Sequence, residues 1–221
     1  NISAGAFHMT RASRYFPDGT IHVGVVDPGV GSSRKAIIIK AKNTWFVGPD
    51  NGLMAPAADR IGFEQAWAIT NLDLLPSKVS DVFDGRDVFG PTGALISKGV
   101  SPDEIGTKID DIIRIPYYQP EIHGNTIQGN VIHIDGFGNV VTNITYDTLG
   151  QVGVDSEASF KLTVDDKEYT VPYVRRFSAV KKGELLVLVA GGGYLEISIN
   201  QGNAGKQLGL SEGTEIELQI D

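Results

Sequence analysis

The pattern of apolar segments changes near residue 115, and this change constrains the fold more than any other feature of the sequence. Before it, strand-like and helix-like stretches alternate, which is typical of an α/β layer with at least some parallel pairing. After it, short apolar stretches follow one another with turn residues between them. We therefore predict an α/β domain with a mixed or mostly parallel sheet over residues 1–115, a linker over 116–123 and an all-β, barrel-like domain over 124–221. The strands predicted for the second domain are 126–134, 140–144, 159–164, 168–174, 184–190, 194–199 and 215–220.

Composition argues against several classes of function. The 221 residues carry 19 basic and 27 acidic side chains, and a net charge of −8 without a basic cluster argues against a nucleic-acid partner. The absence of cysteine excludes disulfides, thiolate nucleophiles and cysteine-bound metals. No apolar run approaches the roughly 20 residues of a membrane-spanning helix. We expect a cytoplasmic protein that binds neither nucleic acid nor membrane.

Two apolar stretches, 21–26 and 36–40, flank a loop rich in glycine and proline. Asp27 begins this loop, and Arg34 lies near its end. Strand ends that open into such loops often carry chemistry, because the scaffold is rigid and the backbone can approach a ligand. For this loop taken alone, a plain turn remains the stronger interpretation.

Three further loops place paired polar side chains at predicted strand ends: Asp50-Asn51, 84–87 and 135–139. Turn formation or helix capping is enough to explain each of these loops taken alone. Together with the loop of Asp27 and Arg34 they make four, and four such loops in one chain favour a polar cleft. The usual motifs are absent, since the chain has neither Walker spacing nor H-E-x-x-H nor G-x-S-x-G, and its four histidines lie in no ligand spacing. Nucleoside triphosphate binding, a metal site and a serine-hydrolase triad are therefore not predicted.

Five blocks of sequence, in order along nearly the whole chain, resemble one enzyme family. They are 16–34 with V-V-D-P-G-V-G-x-x-R, 47–53 with V-G-P-D-N-G-L, 83–91 with F-x-G-R-D-x-F-x-P, 133–144 with H-I-D-x-F-G-N-x-x-T-N-I, and 193–204 with G-Y-L-E-I. This combination resembles the S-adenosylmethionine hydrolases, or hydroxide adenosyltransferases, which are related to fluorinases and chlorinases.

The resemblance implies nucleophilic substitution at the ribose C5′ of S-adenosylmethionine (SAM), with methionine as the leaving group. Hydrolases use water or hydroxide and release adenosine, whereas halogenases use a halide. The resemblance also implies a homotrimer, whose sites form where the N-terminal domain of one subunit meets the C-terminal domain of the next. No cofactor is implied, since SAM is itself the substrate.

The resemblance assigns catalytic roles to three residues. Asp27 and Arg34 match the first two members of an Asp–Arg–His trio that holds the attacking water. Asp84 stands where the family carries the histidine. A carboxylate at this position could accept a proton from water, but a second carboxylate near Asp27 could equally repel hydroxide and raise one of the two pKa values.

Substrate-binding roles follow from the same resemblance. Asp135 matches the acidic residue that holds the methionine amino group, and Phe137 and Asn139 match the block that packs against and hydrogen-bonds the adenine. Glycines replace a segment in which relatives often carry a serine that helps to hold the methionine. The other expected substrate-binding residues are Asn51, Gly191, Gly192, Tyr194 and Glu196.

Two alternatives to the hydrolase stay open, a halogenating relative and a non-catalytic protein that binds SAM or a nucleoside. Relatives begin with a T-D-F-G strand end whose aspartate binds the ribose, followed by about 60 residues that this sequence does not contain. The chain is therefore expected to be either a fragment or a version that lacks part of the N-terminal sheet and the ribose-binding aspartate, and the absence of an initiator methionine favours the fragment. The match of Asp27 and Arg34 to the hydrolase pattern favours the hydrolase over the halogenase.

Overall fold

A computed structural model describes residues 1–115, 119–154, 158–165 and 167–220. The chain divides into two compact units, Asn1–Pro116 and Tyr117–Asp221. Residues 116–118 of the predicted linker lie outside the described residues. A short strand, Glu121–His123, occupies the end of the range that was assigned to the linker.

The first unit is a five-stranded sheet with helices on both faces. Its strands are β1 (Ile21–Val23), β2 (Ala36–Ala41), β3 (Thr44–Pro49), β4 (Phe63–Ile69) and β5 (Gly106–Ile109). Its helices are α1 (Ile2–Ser13), α2 (Ala55–Ile61), α3 (Gly90–Ser97) and α4 (Pro102–Ile105), with a 3-10 turn at Leu72–Leu74 and a π-helical turn at Gly85–Phe89.

The strand order of this sheet is β1-β3-β2-β4-β5. Only the β1–β3 pair is parallel and the other pairs of named strands are antiparallel, so the prediction of a mixed sheet is confirmed and the mostly parallel version is wrong. Strand β1 ends at Val23 rather than at residue 26. After it the chain makes one more bond to the sheet, from the Gly24 amide to the Val47 carbonyl at 3.0 Å, and then enters the loop.

The central strand β2 is buried on both faces, which explains its unbroken apolar run. Ile37 and Ile39 belong to a core that includes α2, while Ile38 belongs to a second core with Trp67 and Phe89. Successive side chains of a strand point to opposite faces, so one strand supports both layers. Packing on both faces holds β2 in place, and β1 is held through its pairing with β3. The loop that joins β1 to β2 therefore begins and ends on well-ordered strands.

The described part of the second unit is all-β except for two short helices, α5 (Tyr146–Gln151) and α6 (Ala204–Leu208), and a 3-10 turn at Phe177–Ala179. Its sheet has the order β10-β9-β13-β7-β8-β12-β11, with β6 paired to β7. A bridge between Tyr173 and Val187 joins the two ends of this order, so the predicted barrel-like fold is confirmed. The strands are β6 (Glu121–His123), β7 (Thr126–Ile134), β8 (Val140–Thr145), β9 (Ser159–Val164), β10 (Lys167–Pro172), β11 (Leu185–Val189), β12 (Tyr194–Ile199) and β13 (Glu215–Ile220).

The interior of the second unit is filled by alternating apolar side chains of its strands, among them Ile127, Phe160, Leu162, Ile197 and Leu218. Because of this alternation, the strands could be predicted from the sequence. None of the helices within the described ranges is both long and apolar enough to cross a bilayer.

Candidate functional site

Asp27 and Arg34 form a two-point ion pair within the loop that joins β1 to β2. Nε of Arg34 donates to Oδ1 of Asp27 at 3.1 Å, and Nη2 donates to Oδ2 of the same carboxylate. The loop reverses direction through a bond from the Val30 amide to the Asp27 carbonyl at 3.2 Å, and Gly31 adopts a positive φ of 79°. These turns bring two residues that are seven positions apart into direct contact.

Asp84 binds the same guanidinium. Nη2 of Arg34 donates to Oδ2 of Asp84 at 2.5 Å, across a separation of 50 residues in the chain. Asp84 immediately precedes the π-helical turn, and the ring of Phe89 in that turn lies 5.2 Å from the guanidinium carbon of Arg34. The side chains of Asp27, Arg34 and Asp84 are only 4%, 11% and 9% exposed. The structure therefore brings the three predicted catalytic residues together in a largely buried cluster.

Lys78 is a fourth member of this cluster, and the sequence analysis missed it. Its Nζ lies 2.8 Å from Oδ1 of Asp84, while its side chain is 40% exposed. Lys78 lies in an irregular segment, and its contact with Asp84 is not part of any motif that identified the other members. The sequence signal that remained was the unexpected carboxylate at position 84, since a second buried acid beside Asp27 calls for a further cation.

The two cations set the ionisation of Asp84. Burial alone would raise the pKa of the Asp84 carboxyl, but the contacts with Lys78 and Arg34 outweigh burial and hold that pKa below its usual value. Burial alone would lower the pKa of Arg34, whereas the bonds to Asp27 and Asp84 raise it above its usual value. The cluster thus contains two carboxylates and two cations in balance.

Two pockets of the first unit meet at Arg34. One has a volume of about 430 Å³ and includes Lys78, Asp81 and Asp84 in its lining. The other has a volume of about 750 Å³ and extends past Asp50 to the segment 111–114. The guanidinium of Arg34 is therefore next to space that a small molecule can enter.

Asn51 lies behind the loop and makes framework contacts there. Its Nδ2 donates to the Val26 carbonyl at 2.9 Å, and its Oδ1 accepts from the Leu53 amide at 3.1 Å. The neighbouring Asp50 accepts from the Ile113 amide at 2.8 Å. Both side chains hold backbone segments in place, and the predicted role of Asn51 in substrate binding stays a prediction.

Asp135, Phe137 and Asn139 share one turn between β7 and β8 of the second unit. Oδ1 of Asp135 accepts from the amides of Phe137 and Asn139, both at 2.9 Å, and Oδ2 accepts from Nδ2 of Asn139 at 2.9 Å. The Phe137 side chain projects from this turn, and the residue is 81% exposed. The Asp135 carboxylate therefore holds the turn in shape, and the turn exposes the ring of Phe137 to solvent.

The remaining predicted residues lie on one hairpin. Gly191 and Gly192 are in the turn between β11 and β12, which is closed by a bond from the Gly193 amide to the Ala190 carbonyl at 2.8 Å. Tyr194 and Glu196 lie on β12 and are buried. The structure thus places the predicted catalytic group in the first unit and, apart from Asn51, the predicted substrate-binding group in the second. Within the ranges that the structure describes, no three His, Asp or Glu side chains are grouped as metal ligands would be.

Comparisons with known proteins cover both units. The chain matches the family model of the SAM hydroxide adenosyltransferase N-terminal domain over residues 1–106 and that of the C-terminal domain over residues 129–217. It is 33% identical to a protein of Salinispora arenicola named (R)-S-adenosyl-L-methionine hydrolase, over 99% of this chain and 81% of that protein.

A solved structure agrees with this similarity. The crystal structure of an uncharacterized conserved protein from Thermotoga maritima superimposes with a TM-score of 0.92 at 35% identity, covering 99% of this chain and 84% of that chain. A more distant relative, the fluorinase of Actinopolyspora mzabensis, is 23% identical over 99% of this chain and 83% of that protein. The chain therefore belongs to the SAM hydroxide adenosyltransferase family.

Proposed function

We propose that this protein hydrolyses SAM to adenosine and L-methionine. The observation that carries the proposal is the 33% identity to a protein named (R)-S-adenosyl-L-methionine hydrolase over 99% of the chain. The cluster of Asp27, Arg34 and Asp84 beside a pocket supports it, because these groups suit the handling of a water molecule.

The reaction forms a bond between the water oxygen and the ribose C5′ as the bond between C5′ and sulfur breaks. The electron pair of the broken bond leaves with sulfur, which becomes the neutral thioether of methionine, and the water gives up one proton. A sulfonium is already a good leaving group, so the site needs no general acid. It has to hold the water in line behind C5′ and accept its proton.

Arg34 and Asp27 are the groups that we assign to this task. Arg34 uses Nε and Nη2 for the two carboxylates, and no described residue accepts a hydrogen bond from its Nη1. Nη1 can therefore donate to a water molecule, and the adjacent Asp27 carboxylate can accept the proton. Asp84 holds the guanidinium in place through Nη2. The Asp27 carboxylate next to the position assigned to the water would disfavour a halide there, which favours water as the nucleophile.

Substrate binding is assigned to the second unit. Each carboxylate oxygen can accept more than one hydrogen bond, so Asp135 can receive the methionine ammonium while it keeps the turn in shape. The exposed ring of Phe137 offers an apolar face to the adenine, and Asn139 a polar group beside it. We also assign substrate binding to the backbone of Gly191 and Gly192 and to the side chains of Tyr194 and Glu196. The homotrimer, the site between its subunits and the cytoplasmic location stay predictions.

Incubation with SAM in chloride and in chloride-free buffer, followed by chromatography, tests the proposal. Equal amounts of adenosine and methionine are expected in both buffers, and the Asp27→Asn variant serves as the control for non-enzymatic breakdown. A 5′-chloro nucleoside that appears only in chloride would identify a halogenase. Calorimetric binding of SAM without any product would identify a non-catalytic binding protein.

A further inference from the structure

Each carboxylate oxygen of Asp84 has its own cation. Oδ2 accepts from Nη2 of Arg34 at 2.5 Å, and Oδ1 lies 2.8 Å from Nζ of Lys78. Asp84 and Arg34 are nearly buried, whereas the side chain of Lys78 is partly exposed. Lys78 therefore covers the solvent side of a carboxylate whose other oxygen is bound to the guanidinium.

The segment that carries Lys78 is tied to the turn that carries Asp84. Oδ2 of Asp87 accepts from the amides of Val79 and Ser80, at 3.0 Å and 3.2 Å. Asp87 belongs to the π-helical turn that begins directly after Asp84. Lys78 is next to Val79, so these bonds restrict its backbone to the neighbourhood of the Asp84 carboxylate. A flexible surface lysine would lose more conformational entropy on making the same contact.

The charges of the cluster require a second cation. Asp27 and Asp84 both accept from Nη2 of Arg34, so two carboxylates share one nitrogen of one guanidinium. With Arg34 alone, the buried cluster of two carboxylates and one guanidinium would carry a net negative charge. Lys78 supplies the missing positive charge.

We propose that Lys78 is a positioning residue of the active site, which acts through Asp84 to keep Arg34 oriented towards Asp27 and the attacking water. The proposal rests on the proposed hydrolase function for its catalytic consequence, while the contact between Lys78 and Asp84 can be tested without any substrate. Lys78 touches no reacting atom. Its effect is to keep Asp84 ionised, so that the bond from Nη2 of Arg34 to Asp84 is retained as the pH falls.

The effect of Lys78 can be separated from that of its neighbours. The charged groups that contact Asp84 are Lys78 and Arg34; Asp27 lies beyond Arg34, and Asp81 lines the same pocket. Of the two cations, only Lys78 can be replaced without removing a residue assigned to the water site. In Lys78→Met the pKa of Asp84 should rise, because a positive charge that favours the ionised carboxyl is removed.

The first experiment measures kcat/KM for SAM from pH 3.5 to 8 in the wild type, Lys78→Met, Lys78→Arg and Lys98→Met. Lys98 is an exposed lysine of the same unit that forms no ion pair with any described residue, so its variant controls for the loss of one surface charge. In Lys78→Met, the acidic fall in kcat/KM should begin about one pH unit higher than in the wild type. At pH values below this fall, kcat/KM should be about tenfold lower than that of the wild type. Lys78→Arg and Lys98→Met should follow the wild type. A loss in Lys78→Met that is equal at every pH, or no change in its profile, would overturn the proposal.

The second experiment follows the ¹³C carboxyl resonance of Asp84 by NMR during an acid titration without SAM, with Asp84→Asn used for assignment. The titration midpoint should rise by about one unit in Lys78→Met and stay in place in Lys78→Arg. An unshifted midpoint would remove the role of Lys78 even if the wild type hydrolyses SAM. A wild type that releases no adenosine would instead contradict the proposed function, while a shifted midpoint would still support the coupling of Lys78 to Asp84.

Discussion

Arg34 binds Asp27 through two different nitrogens, with Nε on one carboxylate oxygen and Nη2 on the other. Such a two-point contact fixes the plane of the guanidinium as well as its distance from the carboxylate. A lysine ammonium in place of Arg34 could hold the charge but not the plane. The orientation of Nη1, the group that we propose donates to the attacking water, therefore depends on Asp27 as much as on Arg34.

Asp27→Asn should remove most of the turnover and leave the fold intact. The amide has nearly the same shape but cannot take a proton from water, so kcat should fall by about 10²–10⁴-fold. Adenosine release measured by chromatography and thermal unfolding measured by circular dichroism test the two halves of this expectation. Asp73→Asn, which changes an exposed aspartate of the same unit, is the matched control and should keep wild-type turnover.

Arg34→Met should destabilise the first unit, because it leaves two buried carboxylates without their shared cation. Breaking a buried ion pair from one side costs about 3–5 kcal/mol. Arg34→Lys keeps the charge and should recover part of the free energy of unfolding but little of the turnover, since the two-point geometry is lost. Urea denaturation of the three proteins measures the first effect. Equal stability of wild type and Arg34→Met would show that the cluster contributes nothing to folding.

The stability of the protein should fall as the pH is lowered below about 4. Arg86, together with the amides of Val79 and Ser80, holds the pKa of Asp87 far below its usual value, although burial opposes this shift. A carboxyl with a lowered pKa in the folded state binds fewer protons there than in the unfolded chain, so its stabilisation is complete above the unfolded pKa and is lost on acidification.

Urea midpoints measured between pH 6 and pH 2.5 test this expectation. Asp87→Asn should show a shallower decline on acidification than the wild type, because one of the carboxyls that takes up a proton on unfolding is gone. The Asp18→Asn variant, which changes an exposed carboxylate bonded to Asn43, should keep the wild-type slope. Identical slopes in the wild type and Asp87→Asn would contradict the assigned role of Asp87.

Gly138→Ala should destabilise the turn that carries Asp135. Gly138 has a φ of 85°, and a Cβ at this position would lie 2.1 Å from Cγ of Asn203. Strain of this kind costs about 1–3 kcal/mol. Gly136→Ala in the same turn meets no heavy atom within 4 Å and should be nearly neutral. Thermal unfolding compares the two variants, and KM for SAM should rise in Gly138→Ala alone if the turn binds the substrate.

Much of the fold could be predicted from local sequence patterns. The predicted bounds of β7, β9, β12 and β13 agree with the structure. In β7, β9 and β13, buried residues alternate with less buried ones between clear turn signals, whereas β12 is a short run that is buried throughout. The helices α4, α5 and α6 were missed because each has only four to six residues, too few for a helical period to show. Their capping residues carry the signal instead, as in the Ser101 capping box that begins α4.

The site was predictable only where its residues are close in sequence or match the family blocks. Asp27 and Arg34 lie in one loop that the sequence singled out, and the resemblance assigned them to one trio. The contact between Arg34 and Asp84 spans 50 residues, so only the resemblance placed them together. Lys78 matched no block, and its contact with Asp84 emerged only from the structure. Sheet order likewise depends on long-range pairing that no local pattern encodes.

Hydrolysis of SAM in water enriched with ¹⁸O tests the central claim most directly. If water attacks the ribose C5′, adenosine should carry the label in its 5′-hydroxyl and gain two mass units, whereas methionine should remain unlabelled. Mass spectrometry of both products gives the answer in one experiment, with Asp27→Asn as the control for non-enzymatic breakdown. Unlabelled adenosine, or a nucleoside product other than adenosine, would contradict the proposed attack of water at C5′.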